Sequence, residues 1–406
     1  MSTKKKNRLL TPITGGVCAP AGFTANAVSV GIFGAYGLNG AVEEKEDIAL
    51  IVARGRYPTA CTYSQNTVKG APVIFTQKHL KGYARAVFVN SGVANVCVEN
   101  GEKIAETICD ALAKRLKISR DEIVIASTGE VAPAFPTERI IDGIDGLVNG
   151  LTGDEEGSLR VARAIVTTDF HVKQIAFSFM LGDYPCKIGA VFKGNKRFSP
   201  HMATALCFLT TDVAVSSEML QRALSAAVNE TFNQSDIDGI SSPNDTICIM
   251  ASGLAGNYKI SCVDTEYKKF YNALLATLSE ICKSTLKEHG ALFYCKVAGA
   301  KSKRVARALA RAIAKNEAIK ARLQKGIVDV SDLVGALSGI EEPFLLDRGR
   351  ICLCVGERVL VLFEEGKPLC VTREFEVLSG EEEIGLRVEI EDGNYGALAY
   401  SIFKRR

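Results

Sequence analysis

The sequence has no large charge excess, no CxxC pair and no long apolar run. Lys plus Arg number 49 against 46 for Asp plus Glu, a net charge of +3, so composition gives no reason to expect nucleic acid or an anionic membrane as partner. No run reaches the ~18 uncharged residues of a membrane span, and no hydrophobic signal-peptide core begins the chain. We therefore expect a cytoplasmic protein whose partners are small molecules.

Cysteine and histidine usage is unlike that of a metal site. The thirteen cysteines are scattered, often inside apolar runs, which is typical of reduced thiols in a protein core. Cys352 and Cys354 alternate along a strand-like run and would face one side of it, but no histidine lies near them in the sequence. Structural zinc is therefore not expected, and neither is any other metal or cofactor.

Length and patterning predict a layered α/β protein. A chain of 406 residues with 47% apolar content can form two or three packed units. Short apolar runs alternate with helical patterns, and we find no internal repeat. Strands are predicted at residues 48–53, 85–89, 122–126, 174–181, 185–192, 246–251 and 291–297, and helices at 102–116, 160–166, 217–230, 265–286 and 301–323.

The strongest chemical signal lies in residues 193–212. A polar loop ends at Pro200, and the run from Met202 to Leu209 is apolar except for the hydroxyl of Thr204. Thr204 is therefore expected to be partly buried at the start of a core element. From composition alone, a hydroxyl bonded to a nearby backbone carbonyl is the ordinary interpretation.

Other candidates have two interpretations each. Thr128 and Gly129 follow a predicted strand, where a glycine lets backbone N–H groups converge and stabilise an oxyanion, although such a sequence also forms ordinary turns. The turn Asn90-Ser91-Gly92 either builds a site or merely connects a strand to a helix. Lys193 could hold a carboxylate or be a solvated loop lysine.

Several motifs, taken in order, resemble the ornithine acetyltransferase family, also called bifunctional glutamate N-acetyltransferases. The order matters, because a set of motifs in sequence is more specific than any single one. They are the turn at residues 90–92 with Asn95 and Cys97, Ala126 to Gly129, Thr167-Thr168-Asp169, Lys193-Gly194, His201 to Leu206, Leu209 to Asp212, Asn244-Asp245-Thr246, and residues 251–257.

The resemblance implies a sandwich of two mixed sheets between helices, with a smaller C-terminal α/β unit. It also implies a precursor that cuts itself between Ala203 and Thr204. Residues 1–203 would then form one chain, residues 204–280 would begin the second chain with the nucleophile, and residues 281–406 would form the C-terminal domain. The two kinds of chain would assemble as a heterotetramer, two of each.

The chemistry implied for arginine biosynthesis needs no histidine. The hydroxyl of Thr204 would attack an acyl carbon, and its own α-amine, with an unperturbed pKa near ~8, would be the general base. Acetyl would pass from an N-acetyl amino acid, by default N-acetylornithine, to glutamate. Thr128 and Gly129 would hold the oxyanion. The resemblance assigns substrate binding to Thr167, Lys193, Thr204 and His289.

The sequence departs from the family in its substrate-recognition positions. Residues 195–198 replace small residues after Lys193-Gly194, and His289 replaces a glutamate. The Asn-Trp-Gly-Arg motif is absent near residues 330–333, and the C-terminal Asn and Thr are absent from residues 399–403. An imidazole cannot replace a carboxylate beside a cationic amine, which predicts poor use of N-acetylornithine. An aminopeptidase or amidohydrolase using the same threonine, and a non-catalytic paralogue, are the alternatives.

Overall fold

The structure, a computed structural model, describes residues 9–35, 45–132, 134–167, 169, 171–194, 205–237, 241–375 and 383–404. The chain divides into two compact units. The first holds the described residues up to Gly194, together with residues 205–228 and 241–278, and the second holds residues 229–237 and 279–404.

The first unit contains two mixed sheets that share one long strand. Strand β3 pairs with β2 and β4 through its first half and with β11 through its second half. Its register with β4 shifts between Val52 and Tyr57, near Pro58, which cannot donate a ladder hydrogen bond. The strands are β1 Thr11–Ile13, β2 Phe23–Val28, β3 Ile48–Tyr63, β4 Tyr83–Asn90, β5 Val93–Ala94, β6 Ile123–Ser127, β7 Glu130–Val131, β8 Gln174–Leu181, β9 Tyr184–Gly194, β10 Ala205–Thr211 and β11 Thr246–Ala251.

Strand alternation divides the core of this unit into layers. Ala49 and Ile51 of β3 face a cluster that also contains Leu206 and Phe208 of β10, so this cluster lies between the two sheets. Because successive strand residues face opposite sides, Leu50 packs on the other face, against helices α2, α3 and α4. The helices of the chain up to residue 287 are α1 Ile32–Ala35, α2 Ala71–His79, α3 Gly101–Leu116, α4 Thr137–Asn149, α5 Glu155–Ile165, α6 Ser217–Glu230 and α7 Thr265–Lys287.

The second unit is a smaller α/β structure with its own core. Its six-stranded sheet has the order β16-β15-β14-β18-β12-β19 among the described residues, and helices α8, α9 and α10 contribute apolar side chains to the same core as this sheet. The elements are β12 Gly290–Ala300, α8 Lys303–Ala314, α9 Glu317–Leu323, β13 Ile327–Asp329, α10 Val330–Ser338, β14 Arg350–Val355, β15 Arg358–Glu364, β16 Lys367–Pro368, β17 Thr372–Glu374, β18 Glu383–Glu389 and β19 Tyr395–Lys404.

The predicted α/β class, with a smaller C-terminal unit, is confirmed. The helix predicted over residues 301–323 is wrong in one respect, because it is two helices. The side chain of Asn316 accepts a hydrogen bond from the backbone N–H of Ile319 (3.1 Å) and begins α9, as asparagine commonly does at a helix N-cap. The sequence analysis also missed α2 and α4.

Candidate active site

The turn Asn90-Ser91-Gly92 joins the elements that carry the candidate residues. The carbonyl of Asn90 accepts the backbone N–H of Thr128 (3.0 Å), and the carbonyl of Gly92 accepts that of Glu130 (2.9 Å). The hydroxyl of Ser91 donates to the carbonyl of Ala164 near the end of α5 (2.5 Å). This turn therefore connects the segment at Thr128 to the end of α5.

The donors at Thr128 differ from those expected from the sequence. Its backbone N–H is already bonded to Asn90, so the pair of convergent backbone N–H groups expected here is not available. Within the described part of the chain, no hydrogen bond occupies the Thr128 hydroxyl or the N–H of Gly129. Thr128 is buried. A hydroxyl and a neighbouring N–H thus remain as the two donors of this turn.

Gly129 is required by the geometry of the turn. Its φ of +136° lies outside the range that side-chain-bearing residues normally adopt. A Cβ at this position would lie 2.1 Å from the carbonyl oxygen of Gly92. Only glycine lets these two loop segments approach so closely.

Thr167 and Lys193 meet at a buried carboxylate. The Lys193 amine donates to the Thr167 hydroxyl and lies 3.9 Å from Asp169 Oδ2. Lys173 Nζ lies 3.3 Å from the other carboxylate oxygen, Asp169 Oδ1. Nearby, Lys45 Nζ donates to the carbonyl of Val166 (2.7 Å). The solvated-loop interpretation of Lys193 is therefore wrong, because its side chain is almost fully buried.

In this lysine cluster (Lys45, Lys173 and Lys193), neighbouring carboxylates only partly offset the effect of burial on the pKa of Lys45 and of Lys193. Burial lowers the pKa of Lys193 to about 8, although Asp169 and Glu130 raise it and Lys45 and Lys173 lower it further. Burial likewise lowers the pKa of Lys45 to about 8, opposed by neighbouring carboxylates that include Asp169. Buried ammonium groups need anionic partners. Lys193, which contacts the Thr167 hydroxyl, is therefore a candidate partner for a carboxylate ligand.

The influence of Glu130 on Lys193 also links the cluster to the turn at Thr128, since Glu130 stands two residues after it. Thr128, Gly129, Thr167 and Lys193, which were singled out separately in the sequence, thus belong to one region of the first unit. Asp169 was noted only as part of a motif. Lys45 and Lys173 were missed, because nothing in the local sequence marks two lysines as buried.

The segment that contains the candidate nucleophile is flanked by two paired residues. Gly194 of β9 and Ala205 of β10 are opposite each other in an antiparallel ladder. Ala203 and Thr204 themselves lie outside the described residues. The described residues that flank this segment are therefore paired with each other, and one of them, Gly194, contacts Lys173.

His289 lies in the second unit, in the turn between α7 and β12, and is partly buried. Its backbone N–H donates to the carbonyl of Leu286 (2.9 Å). Among the described residues, no group of His, Cys, Asp or Glu side chains could hold a metal ion. No helix in the described ranges is both long and apolar enough to cross a membrane.

Unused donors at a glycine turn and a buried cationic cluster fit an enzyme that transfers acyl groups between small charged molecules. The chain belongs to the ArgJ family, whose sequence profile matches residues 34–402.

Named relatives resemble the chain over most of its length. It is 36% identical over 377 residues to the arginine biosynthesis bifunctional protein ArgJ of Symbiobacterium thermophilum, covering 90% of this chain and 91% of that protein. It is 33% identical over 368 residues to the chloroplastic ArgJ of Ricinus communis, covering 89% and 76%. The ornithine acetyltransferase of Mycobacterium tuberculosis, solved with ornithine, is 32% identical, with a TM-score of 0.38 over 41% of this chain and 88% of that chain.

Proposed function

We propose that this enzyme moves an acetyl group from an N-acetyl amino acid, by default N-acetylornithine, to glutamate. Thr204 is freed as an N-terminal residue by cleavage after Ala203, and its hydroxyl carries the acetyl group between donor and acceptor. The observation that carries this proposal is that the turn at residues 90–92 contacts both the Thr128 backbone and Ala164, three residues before the Thr167 that contacts Lys193, in a chain of the ArgJ family.

Each group has a role that follows from its chemistry. The hydroxyl of Thr128 and the N–H of Gly129 stabilise the oxyanion that forms when the acyl carbon becomes tetrahedral. The ammonium group of Lys193 and the hydroxyl of Thr167 bind the carboxylate of the amino-acid substrate. The α-amine of Thr204 takes the proton from its own hydroxyl, so no separate base is needed.

The first test measures self-cleavage and transfer together. Intact-mass measurement of wild type should show two chains, residues 1–203 and 204–406, whose masses sum to the precursor plus one water. The cleaved enzyme should transfer acetyl from N-acetylornithine to glutamate. Thr204→Ala should do neither, because the substitution removes the nucleophile of both steps. An uncut wild-type chain would favour a non-catalytic paralogue, and acetate release without an acceptor would favour a hydrolase.

The choice of donor is a separate question that depends on His289. The resemblance places His289 at the position of a glutamate that would pair with a cationic side chain. We therefore propose that acylated neutral or acidic amino acids are better donors than N-acetylornithine. His289→Glu should raise kcat/KM for N-acetylornithine relative to those donors. If that ratio does not change, His289 has no part in donor choice.

We also propose that the cleaved chains remain together as a heterotetramer, two of each, in the cytoplasm. Small amino-acid substrates are its partners, and the near-neutral net charge of +3 favours neither nucleic acid nor an anionic membrane as a further partner.

A further inference from the structure

Among the residues that the structure describes, no strand neighbours the end of β9 on one side. Strand β8 begins at Gln174, which pairs with Val191, so β9 extends beyond its neighbour. The next backbone contact on that side runs from the Phe192 N–H to the Lys173 carbonyl (3.2 Å). On the opposite side, the pairing with β10 continues to Gly194.

Two side chains replace the missing strand at Gly194. The N–H of Gly194 donates to Asp169 Oδ1 (3.0 Å), and its carbonyl accepts from Lys173 Nζ (2.8 Å). Lys173 Nζ and Asp169 Oδ1 are themselves 3.3 Å apart, which closes the group of contacts. Both side chains are almost fully buried. Gly194 is therefore held through both of its backbone groups by charged partners, which form the stronger class of hydrogen bond.

The same carboxylate also orders the neighbouring site. Asp169 Oδ2 accepts the backbone N–H of Thr167 (3.4 Å) and lies 3.9 Å from Lys193 Nζ. One buried anion thus contacts both Gly194, which precedes segment 195–204, and the Thr167–Lys193 pair proposed to bind the substrate. A displacement at Asp169 would move both.

We propose that Asp169 and Lys173 are positioning residues for self-cleavage, which hold the N-terminal base of segment 195–204 while β10 holds its other end. This inference rests on the proposed function. In the reaction, the Thr204 oxygen attacks the carbonyl carbon of Ala203, the Ala203–Thr204 C–N bond breaks, and the released nitrogen gains the proton of the hydroxyl. Water then hydrolyses the ester. Asp169 and Lys173 exchange no atom in these steps.

The physical reason is that attack within one chain needs the oxygen and the carbon at near-contact distance. A misplacement of about 1 Å can cost about 10²-fold in rate. A loop held at only one end samples many geometries, and ordering each residue costs conformational entropy. Holding Gly194 against Asp169 and Lys173 removes part of that freedom before the reaction begins.

The test compares self-cleavage rates in chains made by cell-free synthesis, sampled over time by intact mass. Lys173→Met keeps the apolar stem but removes the donor to Gly194, and it should slow cleavage by about 10²-fold. Asp169→Asn removes the charge that holds Lys173 and should slow it as well. Asp183→Asn and Lys187→Met are matched controls, because both are exposed positions on the same β8–β9 hairpin, and they should cleave at the wild-type rate.

Two further measurements separate positioning from a general loss of structure. Once Lys173→Met has been cut, its kcat for acetyl transfer should return to within a few-fold of wild type, because Lys193 keeps its contacts with Thr167 and Asp169. Lys173→Arg, which keeps a donor, should restore part of the cleavage rate. If Lys173→Met does not fold, Lys173→Arg and Asp169→Asn measure the same quantity.

The possible outcomes distinguish this inference from the proposed function. A wild-type chain that is never cut overturns both. If the wild-type chain is cut, and Lys173→Met and Asp169→Asn are cut at the wild-type rate, the positioning role alone is overturned. A fall in kcat as large as the fall in cleavage rate overturns it as well.

Discussion

At the scale of single residues, the hydroxyl of Thr128 is the donor proposed for the oxyanion, since its backbone N–H is bonded to Asn90. Thr128→Val keeps the shape but removes the hydroxyl, and it should lower kcat for acetyl transfer by about 10²–10³-fold, the usual cost of one oxyanion donor. Thr128→Ser is the matched control and should retain most activity. Equal kcat values for Val and Ser at this position would exclude the hydroxyl as a donor.

The pKa of Lys193 predicts a pH dependence with a defined sign. Burial lowers this pKa to about 8 from 10.5. The folded chain therefore holds fewer protons than the unfolded chain between those pH values, and the free energy of unfolding rises with pH through that window. A substrate carboxylate needs the ammonium form, so KM should rise as pH increases above about 8.

Initial rates on both sides of pH 8 measure this effect. Lys193→Arg supplies the control, since a guanidinium does not titrate in this range, and its KM should stay flat with pH whatever its absolute value. A wild-type KM that does not change across pH 8 would show that Lys193 does not bind the carboxylate.

At the scale of elements, the close approach of two turns depends on Gly129. Gly129→Ala would place a Cβ 2.1 Å from the Gly92 oxygen, whereas a Cβ on Gly182, in the β8–β9 turn, would meet nothing within 4 Å. Both glycines have positive φ, so an alanine is strained at either position. The difference between the two variants therefore reports mostly the clash with Gly92. Gly129→Ala should lower the free energy of unfolding by roughly 1–3 kcal/mol more than Gly182→Ala.

The two alanine variants are compared by denaturant unfolding in the Thr204→Ala background. That chain stays uncut, so dissociation of cleaved chains does not contribute to the unfolding transition. Equal unfolding midpoints for the two alanine variants would mean that the turn at Gly92 relaxes without cost.

At the scale of the whole molecule, the strand order predicts that cleavage does not separate the chains. In the order β9-β10-β11-β3, strands β10 and β11 follow the cleavage point, while β9 and β3 precede it. The second chain is thus hydrogen-bonded to the first on both sides. The native mass should be unchanged by cleavage, although a denaturing gel should show one band near half of 43.6 kDa.

Light scattering of wild type and uncut Thr204→Ala measures this directly. A heterotetramer should give the same native mass as a dimer of uncut chains. Release of free chains from the cleaved enzyme under native conditions would contradict the strand order as the cause of association.

The sequence by itself determined the elements whose signal is local. Helix α6 and strand β11 have the predicted bounds, residues 217–230 and 246–251, because hydrophobic periodicity reports which face is buried. It also predicted Thr128, Gly129, Thr167 and Lys193 as site residues, through the order of the motifs. The sequence did not predict the break between α8 and α9, because apolar residues continue at helical spacing on both sides of Asn316. The break is visible only in the capping hydrogen bond that Asn316 accepts at the start of α9.

Tertiary structure alone decided how the site is charged and held. Lys45 and Lys173 read as ordinary polar residues, yet folding brings both to the region of Asp169. No local pattern encodes the contacts of Lys173, because the extension of β9 beyond the end of β8 leaves the backbone groups of Gly194 to Lys173 and Asp169. The hydrogen bond from the Thr128 N–H to the Asn90 carbonyl is likewise set by the tertiary structure. A hydrogen bond between strands distant in sequence depends on register, which only the packed sheet fixes.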